Sequence, residues 1–263
     1  MLQPLLYLIV SFLASVAGAI CGIGGGVIIK PVLDLCALAS VSTISFLSGC
    51  TVLSMSCYSV GRGLLSGSSK VDLKTGTPLA LGAAVGGVAG KQLFSAIRAL
   101  FADPNTVGAV QAGCLAVITA GTLAYTMFKN RIETHTVKSV GACVGIGLVL
   151  GVMSSFLGIG GGPINLVVLY YFFSMDSKTA ALNSLYIIFL SQISSLLSLV
   201  FTGNIPGFQP IALCIMMAGG IAGAFLGRDA AKKLTASQTD RLFLAVLLLI
   251  LLISGYNVFK FIA

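Results

Sequence analysis

The chain has 263 residues, of which 57% are hydrophobic and only 8% are charged, and its mean hydropathy is +1.06. A soluble domain carries about 25% charged residues, so this composition excludes a soluble globular protein and predicts an all-α membrane protein with many spans. The net charge of +8 does not indicate nucleic-acid binding, because the basic residues stand at the ends of apolar runs, where such residues anchor a chain to lipid headgroups.

Eight apolar segments are long enough to cross the hydrocarbon core of a bilayer, which requires about 20 residues. The first and fifth are longer than one crossing requires. The first would measure about 50 Å as one straight helix, against a core of about 30 Å. Both are therefore predicted to break, tilt strongly or re-enter the membrane. The segments cover about 5–38, 41–65, 77–97, 107–128, 140–173, 179–201, 210–226 and 242–261.

A glycine cluster stands inside each of the two long segments, as Gly22-Ile-Gly-Gly-Gly26 and Gly158-Ile-Gly-Gly-Gly162. Glycine costs roughly 1 kcal/mol in a helix interior relative to alanine, so four glycines in five residues predict a helix break. Helices restarting at Gly26 and Pro163 would present N–H groups and a positive dipole end, which bind anions. Breaks at matching positions in two halves indicate the binding site of a transporter.

The two halves read as repeats. Residues 22 and 158 begin the glycine clusters 136 positions apart, and the stripe Gly82, Gly86, Gly90 is followed by Gly219, Gly223, Gly227 at an offset of 137. The stripes predict close helix packing through small residues. We expect a first transmembrane repeat over 1–128, a polar linker over 129–138 and a second repeat over 139–263. Parallel and inverted arrangements of the repeats both remain open.

Polar residues near the clusters are candidates to complete a substrate site, since an amide or hydroxyl at membrane depth needs a partner or water. They can equally join two helices. The predicted substrate-binding residues are Gly24, Gly25, Gly26, Ser48, Thr51, Gly160, Gly161, Gly162, Asn165, Asn183, Ser184 and Gln192.

Charged residues are expected at the margins of the spans. Lys30 follows the first cluster and is predicted to extend toward the headgroups, with attraction of an anion into a vestibule as the alternative. Lys91 and Arg98 are expected near the loop after the third span, and Asp34 at or near a loop. Without a carboxylate inside a span, an intramembrane proton relay of the usual kind is not expected.

The sequence offers few groups for enzyme catalysis, because it has no carboxylate pair inside a span and its single histidine, His135, lies in a predicted loop. The seven cysteines form no C-x-x-C pattern and no Cys/His cluster, so we predict neither a metal site nor a cofactor. The alternatives to a transporter are an integral-membrane enzyme and a membrane scaffold without transport activity.

Cys21-Gly-Ile-Gly-Gly-Gly26 and Leu157-Gly-Ile-Gly-Gly-Gly162, with the helix start Ala181-Leu-Asn-Ser-Leu185, resemble the TauE/SafE family of sulfite exporter-like permeases, also called TSUP. The likeness covers essentially the whole chain in length, span count and duplication. It implies transport of a small sulfur-containing anion, such as sulfite, a sulfonate or sulfoacetate, across a bacterial inner membrane by a multi-pass protein. A coupling ion, H⁺ or Na⁺, stays open, as does transport without one.

Overall fold

The computed structural model describes residues 2–65, 72–101, 104–159 and 161–262, and within these ranges the chain is helical without strands. Eight of its helices are long and apolar enough to cross a membrane, which confirms the predicted transmembrane helix bundle. The helices are α1 Leu2–Cys21, α2 Gly26–Cys36, α3 Val41–Leu65, α4 Leu73–Leu100, α5 Pro104–Phe128, α6 Val140–Leu157, α7 Pro163–Phe173, α8 Ser177–Phe201, α9 Pro210–Lys233 and α10 Ala236–Ile262, with a short 3₁₀ turn over Lys129–Arg131 between α5 and α6.

Both long apolar segments break where the glycine clusters predict. α1 ends at Cys21 and α2 begins at Gly26, while α6 ends at Leu157 and α7 begins at Pro163. Gly158 ends α6 with a φ of 67°, and its N–H caps the carbonyls of Ser154 and Ser155. Only glycine adopts this left-handed conformation without steric cost, which explains its place at the end of a helix.

The two glycine stripes lie in the two most extensive helix–helix contacts of the described residues, between α4 and α6 and between α1 and α9. A Cβ atom added to Gly86 of α4 would collide with the carbonyl oxygen of Leu148 in α6, and one added to Gly223 of α9 would collide with that of Phe12 in α1. The predicted role of the stripes in close packing is therefore confirmed. The first stripe packs α4 against α6, and the second packs α9 against α1, which are the third and first spans of opposite predicted halves.

These contacts are reciprocal at the offsets read from the sequence. Residues 12 and 148 are 136 positions apart, and 86 and 223 are 137 apart. The same holds at the breaks, where Gly22 lies against Ala181 and Gly158 lies against Ser45. When two positions in contact are each replaced by the corresponding position of the other repeat, the new pair is again in contact. Such reciprocal contacts are the signature of a twofold relation. The division into repeats over 1–128 and 139–263 stays a prediction, which these contacts support.

Each broken pair of helices returns to the end of the bundle from which it started. The amide nitrogen of Gln3, at the start of α1, lies 3.5 Å from the carbonyl oxygen of Leu38, just beyond α2. In the second half, the His135 N–H, before α6, donates to the carbonyl of Tyr171, near the end of α7, at 2.7 Å. We call the end of the bundle that holds Leu38 the first end and the one that holds Tyr171 the second end.

Candidate functional site

The two helix breaks touch inside the bundle. A Cβ atom added to Gly26, the first residue of α2, would collide with the carbonyl oxygen of Ile159 in the second break. The N–H of Gly25 donates to the sulfur of Met55 at 3.1 Å. The groups facing the N-terminus of α2 thus include a carbonyl oxygen and a thioether sulfur, both acceptors. An anion needs donors, so this contact favours close packing of the breaks over an anion cradle between them.

A polar cavity of about 10 Å³, room for one water-sized particle, lies beside the second break. We call it the lysine cavity, because Lys91 of α4 lines it although the side chain is only 8% exposed. In the described part of the chain no carboxylate lies within 4.0 Å of the Lys91 ammonium, whose recorded contact is with the Phe94 ring, 5.6 Å from its centre. The rest of the lining is mainly small and polar: Ser45, Gly49, Ser154, Ser155, Gly158, Gln192, Ser195 and Leu196.

Several groups in the lysine cavity can donate hydrogen bonds to an anion. The hydroxyls of Ser45 and Ser155 are buried and lack a partner among the described residues. Gln192 adds a side-chain amide from α8. Together with the Lys91 ammonium they form a set of donors in a low-dielectric setting, where charge-assisted hydrogen bonds to an oxyanion are strongest.

An open vestibule of about 450 Å³ leads from the first end of the bundle to the same lysine. Lys91 lines both cavities, so it stands where the vestibule meets the helix break. Arg98, about two helical turns further along α4, is exposed within the vestibule. Two positive charges along one entrance raise the local concentration of anions. Ser42, Phe46, Ser95 and Asn204 are among the other lining residues.

The structure brings Gln192 into the lysine cavity but places the other predicted site residues elsewhere. Gly24 and Gly161 lie against the apolar side chain of Ile188. Thr51 donates its hydroxyl to the carbonyl of Leu47 in its own helix at 2.8 Å. Asn183 joins α8 to α4, since its side-chain oxygen accepts from the N–H of Asp72 at 3.1 Å.

The remaining predicted residues are buried at or near the breaks. Gly162 caps α7, where its carbonyl accepts from the N–H of Asn165 at 3.1 Å. The hydroxyls of Ser48 and Ser184 and the side-chain oxygen of Asn165 are buried without a partner among the described residues. Gly160 lies outside the described residues.

Three charged residues are more deeply buried than the sequence interpretation expected. Lys91, expected near the loop after the third span, is a buried interior residue of α4. Lys30 does not reach toward the headgroups: it is 3% exposed, and its ammonium lies 2.6 Å from the carboxylate of Asp34, one turn later in α2. Asp34 lies two residues before the end of α2, near a loop as expected, but it is only 5% exposed. The spacing of Lys30 and Asp34 by four residues, which suits a helical ion pair, was the available signal.

The buried ion pair lines a second small cavity, which we call the aspartate cavity. It measures about 10 Å³, room for one water-sized particle. Besides Lys30 and Asp34, it is lined by Gln111 from α5 and by Ser254 and Asn257 from α10. The other lining residues are apolar: Pro31, Ala112, Leu115 and Leu157.

A family model described as sulfite exporter TauE/SafE matches residues 7–254 of the chain. The chain belongs to the TauE/SafE family. The match confirms the resemblance read from the two glycine clusters and spans both breaks and the whole lysine cavity of this TauE/SafE protein. No curated protein and no solved structure matches the chain.

Proposed function

We propose that this TauE/SafE protein is a secondary transporter of a small sulfur oxyanion, of the sulfite, sulfonate or sulfoacetate class, in a bacterial inner membrane. The observation that carries the proposal is Lys91, a buried ammonium without a carboxylate partner among the described residues. A buried charge is costly unless it is paired. A lysine kept unpaired where a vestibule meets a helix break is suited to pair with a transported anion.

Lys91 supplies the charge, and Ser45, Ser155 and Gln192 supply hydrogen bonds to the substrate oxygens. A sulfite, sulfonate or sulfoacetate headgroup presents three oxygens around sulfur and is larger than the lysine cavity, so it meets Lys91 from the vestibule of about 450 Å³. The helices around the cavity must separate for the serines and the glutamine to contact the same anion. The lysine contributes from α4, the serines from α3 and α6, and the glutamine from α8. The site therefore draws on both predicted repeats, and movement of one repeat against the other would open it to alternate sides of the membrane.

A flux assay in proteoliposomes tests this function. Purified protein is reconstituted, and uptake of sulfite, sulfoacetate and taurine is followed against empty liposomes. Lys91→Met should lower sulfite flux by at least about tenfold, the factor for about 1.4 kcal/mol of lost interaction. The matched control is Lys178→Met, because Lys178 is an exposed lysine in α8 outside both cavities. Equal flux in liposomes with and without wild-type protein, for every compound of the panel, would refute the proposed function.

A further inference from the structure

Four oxygen atoms without a partner among the described residues belong to side chains that line the aspartate cavity. They are Oδ1 of Asp34, Oε1 of Gln111, Oγ of Ser254 and Oδ1 of Asn257. All four side chains are at least nine-tenths buried. Leaving one buried polar group unsatisfied costs about 1–3 kcal/mol, so four around a cavity this small call for a ligand.

The side-chain amides of Gln111 and Asn257 are oriented by the hydrogen bonds that their nitrogens donate. The Gln111 side-chain nitrogen donates to the carbonyl of Phe156 at 2.5 Å, and that of Asn257 donates to the carbonyl of Pro31 at 2.8 Å. A carbonyl accepts only, so these bonds fix which end of each amide is nitrogen and leave the oxygens as the free ends. The free groups are then a carboxylate oxygen, two amide oxygens and a hydroxyl.

We propose that the aspartate cavity binds one sodium ion through Asp34, Gln111, Ser254 and Asn257, and that the ion replaces Lys30 as the counter-charge of Asp34. Hard cations take oxygen ligands of this kind. Calcium takes six to eight oxygen ligands and carries two positive charges. This cavity offers four side-chain oxygens and a single carboxylate, which suits a monovalent cation better. Three of the four oxygens only accept hydrogen bonds, whereas the Ser254 hydroxyl can also donate one. A sodium ion takes all four as ligands, whereas a water molecule donates to two and leaves the third acceptor to Ser254, so the comparison of sodium with choline below distinguishes the two.

Lys30 connects the sodium site to the lysine cavity. Its ammonium contacts Asp34, while its Cε lies 3.5 Å from the position of a Cβ atom on Gly158, which lines the lysine cavity. An ammonium displaced from Asp34 by sodium is therefore within reach of the anion. Sodium binding adds a second positive charge to the anion site, and by thermodynamic reciprocity the anion strengthens sodium binding. This coupling step rests on the proposed function, whereas the sodium site rests on the cavity alone.

Thermal unfolding of purified protein without any sulfur anion tests the sodium site directly. The melting temperature is measured in sodium, potassium and choline chloride at equal ionic strength. We expect a saturable increase in sodium only. Ser254→Ala removes one ligand but no hydrogen bond of the described residues, so it should fold and require about tenfold more sodium for the same increase. Thr119→Val is the matched control, because its hydroxyl is also buried without a described partner but lines neither cavity.

A second variant removes the carboxylate ligand without leaving Lys30 as a buried unpaired charge. Lys30→Met combined with Asp34→Asn removes both charges together, so no unpaired charge is left buried, and it should abolish the response to sodium. Equal melting temperatures of the wild type in sodium and choline would overturn the proposal, and so would an unchanged sodium requirement in Ser254→Ala. A shift that follows pH and is the same in choline would identify a proton instead.

The two proposals fail in different ways. Sodium binding is measured without substrate, so a protein that moves no sulfur anion can still show the sodium response. Sulfite flux in proteoliposomes that is unaffected by a sodium gradient, yet lost in Lys91→Met, would overturn the coupling and leave the proposed transport function intact.

Discussion

Gly26 in the first helix break lies against the carbonyl group of Ile159 in the second, too close for any side chain between them. The contact joins the start of α2 to the break that follows α6. It places the two glycine clusters, 136 positions apart in the chain, at one junction. The clusters thus serve two physical needs: they end helices, and they let two broken segments meet backbone to backbone.

Gly26→Ala should destabilise the protein because its new methyl group meets backbone, which cannot move aside as a side-chain end can. Inserting a methyl group into a well-packed core costs about 1–3 kcal/mol. Gly121→Ala in α5 is the matched control, because nothing lies within 4 Å of the added Cβ. Thermal unfolding of the two variants should show a lower melting temperature for the first and an equal or higher one for the second. Equal melting temperatures would contradict the junction.

Arg98→Gln should weaken the capture of substrate without changing the transport step, because Arg98 is exposed in the vestibule and Lys91 lies beyond it. Electrostatic attraction of this kind falls as salt screens it, over about 10 Å at 0.1 M ionic strength. We therefore expect a raised KM for sulfite flux at low salt, an unchanged maximal rate and no difference at high salt. Arg131→Gln changes an exposed arginine of the turn after α5 and should leave KM unchanged. A fall in the maximal rate of Arg98→Gln would assign Arg98 to the transport step itself.

Asp176 caps the N-terminus of α8 and makes the stability of this helix start depend on pH. Its carboxylate accepts from the N–H groups of Lys178 and Thr179 and from the Thr179 hydroxyl, at 2.7–3.1 Å. Burial raises the pKa of Asp176, but these hydrogen bonds outweigh it and hold the pKa below its usual range. A depressed pKa contributes stability above the unfolded value of about 3.9, and this contribution is lost as the pH falls through the folded value.

Asp176→Asn keeps a capping side chain but removes the titrating charge. At neutral pH the wild type should be more stable by about 0.3–1 kcal/mol, the range for a negative charge at a helix N-terminus. The difference should vanish once the pH is below the folded pKa. Melting temperatures of both proteins from neutral to acidic pH measure it. A difference that stays constant across the acidic range would show that the charge of Asp176 does not stabilise α8.

The helix breaks could be predicted from the sequence because their cause is local. Glycine density ends a helix wherever the chain lies, and proline suits the first turn that follows, so the starts of α2 at Gly26 and α7 at Pro163 were predicted correctly. The surroundings of Lys91 could not be predicted in the same way. Its burial depends on α3, α6 and α8 packing around α4, and the sequence does not say which helices are neighbours.

The same limit explains the predicted site residues. Gln192 was chosen as a polar residue within a span, and it does line the lysine cavity. Asn183 was chosen on the same grounds but joins α8 to the start of α4 through Asp72. A polar side chain inside a span signals that a partner is needed and does not say whether the partner is a ligand or another helix.

The return of each broken helix pair to its own end of the bundle predicts inverted repeats. If α1 and α2 together make no net crossing, each half crosses the membrane an odd number of times, and the second half enters from the opposite side. Cys36 and residue 204 should then face one side, with residues 135 and 236 on the other. If each broken pair crossed the membrane once, residue 204 would instead share a side with residue 135 and lie opposite Cys36.

Labelling of single cysteines with a membrane-impermeant thiol reagent, in sealed oriented vesicles, tests this arrangement. One variant keeps only Cys36, and the others carry Asn204→Cys, His135→Cys or Ala236→Cys, with all other cysteines replaced by alanine. The expected result is that 36 and 204 behave alike and 135 and 236 behave alike, with only one of the two pairs labelled. Labelling of 204 together with 135 would contradict the inverted arrangement, and with it the shared end that the contact between Gln3 and Leu38 assigns to α1 and α2.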